Sequence, residues 1–173
     1  MKKQKNVKKP IKKSKTIKKT NKKLRFGFFS FTCCEGCLVV FIEALNKNFD
    51  KWMKKMDITT FRALKPFKKL EKLDYAIVEG SISTKSEMTK IKEIRKMSKK
   101  VVAIGSGAIN GYPSNQRNNL KGSELQKVNK LIKRFHQLPK IVPIKQVIKV
   151  DDEIPGCPVD EKMIITKFNS YLK

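Results

Sequence analysis

Four cysteines are the residues of this 173-residue chain with the clearest capacity for chemistry, and three lie within five positions, in Cys33-Cys34-Glu35-Gly36-Cys37. The fourth, Cys157, stands 120 residues beyond Cys37, flanked by Pro155-Gly156 and Pro158. Four thiolates meet the count for a cubane 4Fe–4S cluster, while the C-x2-C spacing of Cys34 and Cys37 also suits tetrahedral zinc or a redox dithiol. A zinc ribbon supplies a second C-x2-C pair, and here only Cys157 remains. A thioredoxin-like dithiol leaves Cys33 and Cys157 without a role. Spacing alone leaves the three chemistries open. The cysteine run opens a helix, whose positive end is expected to lower thiol pKa values and favour thiolates. Gly36 lets the backbone approach and direct N–H groups at a cluster's sulfides, and the prolines stiffen the loop of Cys157.

Other polar residues carry weaker signals. Glu35 and Glu79 flank the cysteine-bearing segments, and Glu79 is open to a role in an interface or a proton path or to being a surface carboxylate at a strand end. Arg117 and Asn118 are open to a partner contact, to hydrogen bonding near the cysteines, or to plain solvation. His136, the only histidine, ends a helix and complements its dipole. Trp52 and the methionines at helical spacing read as core. No P-loop and no G-x-G-x-x-G occurs, so no nucleotide site is expected.

The elements that must position the cysteines alternate between strand and helix. Leu24–Phe31 is a short apolar run read as a buried strand, and 37–55 an amphipathic helix with Leu38, Phe41, Ile42, Leu45, Phe49 and Trp52 at spacings of three and four. Strands are expected at 58–64, 74–78, 101–104 and 147–150. Helices are expected from a cap at Ser83 or Thr84 to Met97, over 123–135 with Leu125, Val128, Leu131, Ile132 and Phe135 facing inward, and over 160–172. Buried strands alternating with helices predict an α/β fold: a flavodoxin-like doubly wound parallel sheet in three layers. In that architecture the loops leaving the carboxyl ends of the strands share one edge, where ligands bind. Those loops are Thr32–Cys37, Glu79–Thr84, Gly105–Asn110 and Gly156–Cys157, so both cysteine segments are expected on one rim.

The chain carries a formal charge of +26, and 12 of its lysines fall within the first 23 residues, which hold no acid. That segment, 1–23, cannot bury enough apolar surface to offset its ordering entropy and reads as a disordered basic tail ahead of one domain, 24–173. Without it, 29 basic against 15 acidic residues leave +14. The body's lysines are spread along the sequence and no nucleic-acid signature is present, so no DNA partner is expected. The tail is open to an acidic partner, RNA or an anionic membrane surface. It lacks the apolar region of a secretory signal, and the longest apolar stretch, Cys37 to Ile42, is too short to cross a bilayer. Together with cysteines placed as ligands, this points to the reducing cytoplasm.

Four segments carry a family resemblance. Phe28-Phe29-Ser30-Phe31-Thr32-Cys33-Cys34-Glu35-Gly36-Cys37 resembles the cluster loop of the small, electron-transferring subunits of cytosolic nickel–iron hydrogenases and the 20 kDa-like subunit of NADH:ubiquinone oxidoreductase. Ala76-Ile77-Val78-Glu79-Gly80-Ser81-Ile82, Val102-Ala103-Ile104-Gly105-Ser106-Gly107-Ala108 and Glu153-Ile154-Pro155-Gly156-Cys157-Pro158 resemble later motifs of the same family, in the family's order, and the run Asn110–Asn118 its loop after the third motif. The resemblance implies that Cys34, Cys37 and Cys157 ligate a 4Fe–4S cluster close to the active site of a large subunit carrying the nickel–iron centre, or facing the quinone site in the respiratory enzyme. Further electron-transfer subunits are implied as well. This chain would relay electrons in an oxidoreductase without catalysing alone, as a minimal one-cluster form. One departure stands out: Gly107 occupies the place of the family's third cysteine ligand. Cys33 is the favoured replacement. An oxygen from Ser106, and a three-thiolate 3Fe–4S or labile cluster, are the other outcomes. Loss of the cluster would leave a non-catalytic, basic binding or assembly protein.

Overall fold

A computed structural model describes residues 22–64 and 70–173, so the expected tail falls, at positions 1–21, outside the described residues. The elements run β1 (Leu24–Ser30), α1 (Gly36–Met53), β2 (Met56–Phe61), β3 (Leu73–Glu79), β4 (Ile82–Thr84), α2 (Lys85–Met97), β5 (Ser98–Ile104), α3 (Gly105–Asn110), α4 (Gly122–Arg134), β6 (Gln137–Val142), β7 (Asp152–Ile154) and α5 (Glu161–Tyr171). Five strands form a parallel sheet in the order β2-β1-β3-β5-β7, while β4 and β6 pair separately and antiparallel. The order is that of the flavodoxin-like doubly wound fold.

Both faces of the sheet are buried, which is why its strands read as continuous apolar runs. Phe26 and Phe28 of β1, Tyr75 and Ile77 of β3 and Val102 and Ile104 of β5 pack against α1 and α5 on one face. Phe29, Ala76, Val78, Val101 and Ala103, the alternate residues of the same strands, pack against α2 and α3 on the other. The first face is aromatic. Phe28 lies 4.4 Å from Phe41 and 4.7 Å from Phe61, and Phe168 of α5 lies 4.8 Å from Phe41 and 5.3 Å from Trp52, between ring centroids. The Trp52 indole N–H donates to Asn169 Oδ1 at 3.1 Å, which fastens α1 to α5. At α2 the expected start is met by a capping box: the Glu87 N–H donates to Thr84 Oγ1 at 3.1 Å, and the Thr84 N–H returns a bond to Glu87 Oε2 at 3.0 Å. Among the described residues no helix is long and apolar enough to cross a membrane.

Three expectations need correction, and one strand went unforeseen. The strand expected at 147–150 lies at Asp152–Ile154. Pairing with β5 starts only where Asp151 meets Val101, donating its N–H to the Val101 carbonyl at 2.8 Å and accepting the Val101 N–H at Oδ2 at 2.7 Å. Val147, Ile148 and Val150 instead pack as irregular chain against the second core. The unforeseen strand, β6, goes unmarked in the sequence, because Pro139 and the flanking polar residues hide an edge strand. Second, α4 does not face inward along its apolar stripe: Ile132 is buried, but Leu131 and Phe135 are 51% and 60% exposed. Third, Gly105–Asn110, expected as a loop, forms the short helix α3.

Two outcomes test this packing. Phe168 is fully buried among rings from β1 and α1, so Phe168→Ala is expected to lower unfolding stability by about 3–5 kcal/mol in urea titration. Burial works against the Asp151 carboxylate, but the Val101 N–H and the Arg95 guanidinium outweigh it and hold its carboxyl below the usual range. A depressed carboxyl contributes stability above its unfolded value of about 3.9, and that stability is lost as pH falls through the folded value. Asp151→Asn is therefore expected to lose stability at neutral pH and to flatten the acid limb of the stability–pH curve below about pH 4.

Candidate functional site

The register of the sheet brings four strand ends to one level. Ser30 pairs with Glu79, Glu79 with Ile104, and Ile104 with Ile154, so the loops that follow leave side by side. The chain turns from β1 to β2 on one side and reaches β3 on the other, which makes the carboxyl end between β1 and β3 the switch point of the sheet. A cleft of about 410 Å³ opens there. Its lining includes all four cysteines, Cys33, Cys34, Cys37 and Cys157, with Glu79 and the glycines at 36, 80, 105, 107 and 156. All four thiols are free; Cys37 is buried, Cys33 half-buried, and Cys34 and Cys157 exposed.

Each wall is fixed by backbone. Thr32 and Ser81 exchange N–H···O bonds of 3.0 Å, tying the first cysteine loop to the turn after β3. The Thr32 hydroxyl lies 2.6 Å from Ser83 Oγ and donates to Glu87 Oε1 at 3.1 Å, which links the same loop to the cap of α2. Across the cleft, the Ser106 N–H and hydroxyl both donate to the Gly156 carbonyl, at 2.7 and 3.1 Å, holding the Cys157 loop to the start of α3. Gly105 has φ 81°, and a Cβ there would stand 2.5 Å from Cys37 Sγ. The sulfur of Cys37 therefore occupies the space that a side chain at 105 would need. Cys33 and Gly107 abut the same residue: a Cβ on Gly80 would meet Cys33 Cβ at 2.9 Å, and a Cβ on Gly107 would meet Gly80 Cα at 3.3 Å.

Glu79 is neither a surface carboxylate nor free. It is 3% exposed, and its two oxygens accept the N–H groups of Cys37, at 3.1 Å, and Leu38, at 3.2 Å. It thus satisfies the first turn of α1, where Glu35, left-handed at φ 61°, offers no side-chain cap. For Cys33 and Cys37 the expectation of lowered thiol pKa values is overturned. Burial, and after it the charge of Glu79, pushes Cys33 up to about 11 and Cys37 up to about 12. The carboxyl of Glu79 is itself raised by burial, against the two N–H groups that favour its ionised form. One backbone N–H works the other way in each case and lowers the thiol, that of Glu35 for Cys33 and that of Val159 for Cys37.

Other residues singled out in the sequence lie elsewhere or have other tasks. Asn118 accepts the Ile141 N–H at 2.8 Å and donates to the Ile141 carbonyl at 2.9 Å, while Arg117 donates to the Leu138 carbonyl at 2.8 Å; both hold β6 in place. His136 is exposed beyond the end of α4, at φ 51°. Residues not foreseen as lining the cleft are Tyr112, Pro113 and Ser114, brought there by the turn after α3. Their family-like run was the available signal.

An α/β chain with cysteines from two distant segments in its switch-point cleft has the layout of a flavodoxin-like domain that binds a ligand at the carboxyl ends of its strands. Residues 34–171 match the family of the NADH ubiquinone oxidoreductase 20 Kd subunit, and the chain belongs to that family. The matched segment begins at Cys34, one residue after Cys33. Among curated relatives, the chain is 28% identical over 141 residues to the delta subunit of sulfhydrogenase 2 of Pyrococcus furiosus, covering 82% of this chain and 59% of that one. It is 32% identical over 147 residues to the gamma subunit of the coenzyme F420 hydrogenase of Methanosarcina barkeri, covering 82% and 51%. It is 30% identical over 154 residues to a vhu subunit of the F420-non-reducing hydrogenase of Methanocaldococcus jannaschii, covering 82% and 53%. The chain thus spans between about half and three fifths of the length of these relatives. In fold it is similar to a chain of an NAD+-reducing [NiFe]-hydrogenase in the H2-reduced state, with TM-score 0.77 at 22% identity, covering 87% of this chain and 92% of that one.

The electrostatics give an expected order of thiol reactivity. In the metal-free chain near pH 8, an aromatic disulfide reagent is expected to find Cys34 and Cys157 fast and Cys33 and Cys37 slow, because burial and Glu79 keep the latter two protonated. Glu79→Gln removes the charge, so the slow phase should accelerate several-fold; an unchanged slow phase would assign it to steric protection alone.

Proposed function

We propose that this chain is the electron-relaying subunit of a hydrogenase-type oxidoreductase, holding one 4Fe–4S cluster on Cys33, Cys34, Cys37 and Cys157. The observation that carries the reading is the convergence of those four thiols, from segments 120 residues apart, on one cleft at the switch point of the sheet. Membership of the 20 Kd subunit family and the hydrogenase subunits among its relatives support it. The donor set fits: it is all sulfur, the soft ligand that iron–sulfur clusters take. Among the described residues no group of three or more His, Cys, Asp or Glu forms a single-metal site.

When bound, the cluster supplies one-electron chemistry; the chain's part is to hold and insulate it. Cys37 sits buried against Gly105, and Glu79 fixes the start of α1 from below. Cys33 serves as the fourth ligand because Gly107 has no donor atom and both residues abut Gly80, so a thiol from Cys33 enters the cleft beside the position that lacks one. Ser106 is the weaker candidate, its hydroxyl being engaged by the Gly156 carbonyl. The partners in this reading are a large subunit carrying the nickel–iron site and further electron-transfer subunits, in the reducing cytoplasm. Residues 24–173 form the cluster-binding domain and 1–23 a basic tail.

A second reading rests on Gly107: with the usual third thiol gone, the fold would survive as a cluster-deficient binding or assembly protein. Iron and acid-labile sulfide analysis of the anaerobically purified chain separates the two. About four irons per chain with an EPR signal that appears on reduction is the expected result, and Cys33→Ser should drop the content toward three. Full iron in Cys33→Ser would remove Cys33 from the ligand set. No iron after reconstitution would leave the second reading.

A further inference from the structure

α4 buries one residue, where α1 buries six and α2 and α5 two each. Only Ile132 of its apolar stripe is buried, and Leu131, Phe135 and Leu125 are 51%, 60% and 36% exposed. Lys127 and Arg134 stand four residues before and three after Leu131, so they are its neighbours on the helix surface, and Lys130 stands four before Arg134. All three are exposed, and among the described residues none of them is ion-paired with a carboxylate. Arg134 instead lies over the Phe135 ring, 5.6 Å from its centroid. The one carboxylate of the helix, Glu124, sits in its first turn, away from this pair.

An exposed apolar pair edged by unpaired cations is the pattern of a helix lying in a membrane interface. We propose that α4 docks this chain on an anionic lipid bilayer, with Leu131 and Phe135 entering the headgroup–acyl boundary and Lys127, Lys130 and Arg134 facing phosphate headgroups. Charge complementarity names the occupant. The described body is itself basic, and the rim of the apolar pair is mostly lysine, which protein–protein interface cores disfavour and anionic headgroups attract. The helix is rigidly presented, because β6, which follows it, is held by Asn118 and Arg117 and pairs with β4. The inference is independent of the cysteines and holds for the chain with or without a cluster.

The test is flotation of the full chain with phosphatidylcholine vesicles, with and without phosphatidylglycerol. Binding is expected only with phosphatidylglycerol. Leu131→Ser with Phe135→Ser should weaken partitioning about tenfold or more, the scale of withdrawing two large apolar side chains from the interface. Lys127→Glu with Lys130→Glu should weaken it by several-fold per charge. Both pairs are at the surface, so unchanged melting curves would confirm intact folding. If the Ser pair binds as well as the parent chain, the N-terminal lysines alone carry the attraction and the proposal fails. It fails equally if the full chain does not float, or if the lost binding is to RNA while vesicle binding persists.

Discussion

The level at which the parallel strands stop governs the cleft. Ser30, Glu79, Ile104 and Ile154 are register partners across β1, β3, β5 and β7, so four loops begin at one height without any contact between them being required first. An aromatic-rich core and an aliphatic core clamp the sheet from its two faces, and a strand that slipped by one residue would drive its aromatic set into the aliphatic packing of the other face. The cysteines inherit their positions from that register.

On this platform the local fittings are polar. Glu79 closes the open end of α1, Thr32 and Ser81 exchange backbone bonds, and Ser106 holds the Gly156 carbonyl with two donors. Each joins a cysteine-bearing loop to its neighbour on the rim, so the cleft's walls are cross-braced above the sheet. The Glu79 carboxylate works in two directions: it orders the helix that carries Cys37 and places negative charge beneath the thiols.

Much of this was legible in the residues. The strand–helix alternation pointed to the doubly wound sheet, and the rule that such sheets gather their loops at the strands' carboxyl ends brought Cys33, Cys34, Cys37 and Cys157 to one edge. The misses share a physical cause, which is that local pattern does not encode partners. Asp152–Ile154 became a strand because Asp151 captures Val101, while the more apolar 147–150 found a core to pack on instead. The stripe of α4 has helical period, but nothing in the sequence tells a covered stripe from an open one. Glu79 was read by its position after a strand, and only the tertiary approach of α1 makes it a cap. The thiol pKa expectation failed for the same reason, since burial, and after it the charge of Glu79, raises Cys33 and Cys37.

The contact between Gly105 and Cys37 has a bearing on how such a chain can change over time. A side chain at 105 would collide with the sulfur at 37, and the backbone there is left-handed as well. The two positions are therefore epistatic: substitution at 105 is barred for as long as the thiol stays, and shrinking residue 37 first relieves the steric half of the barrier but not the backbone half.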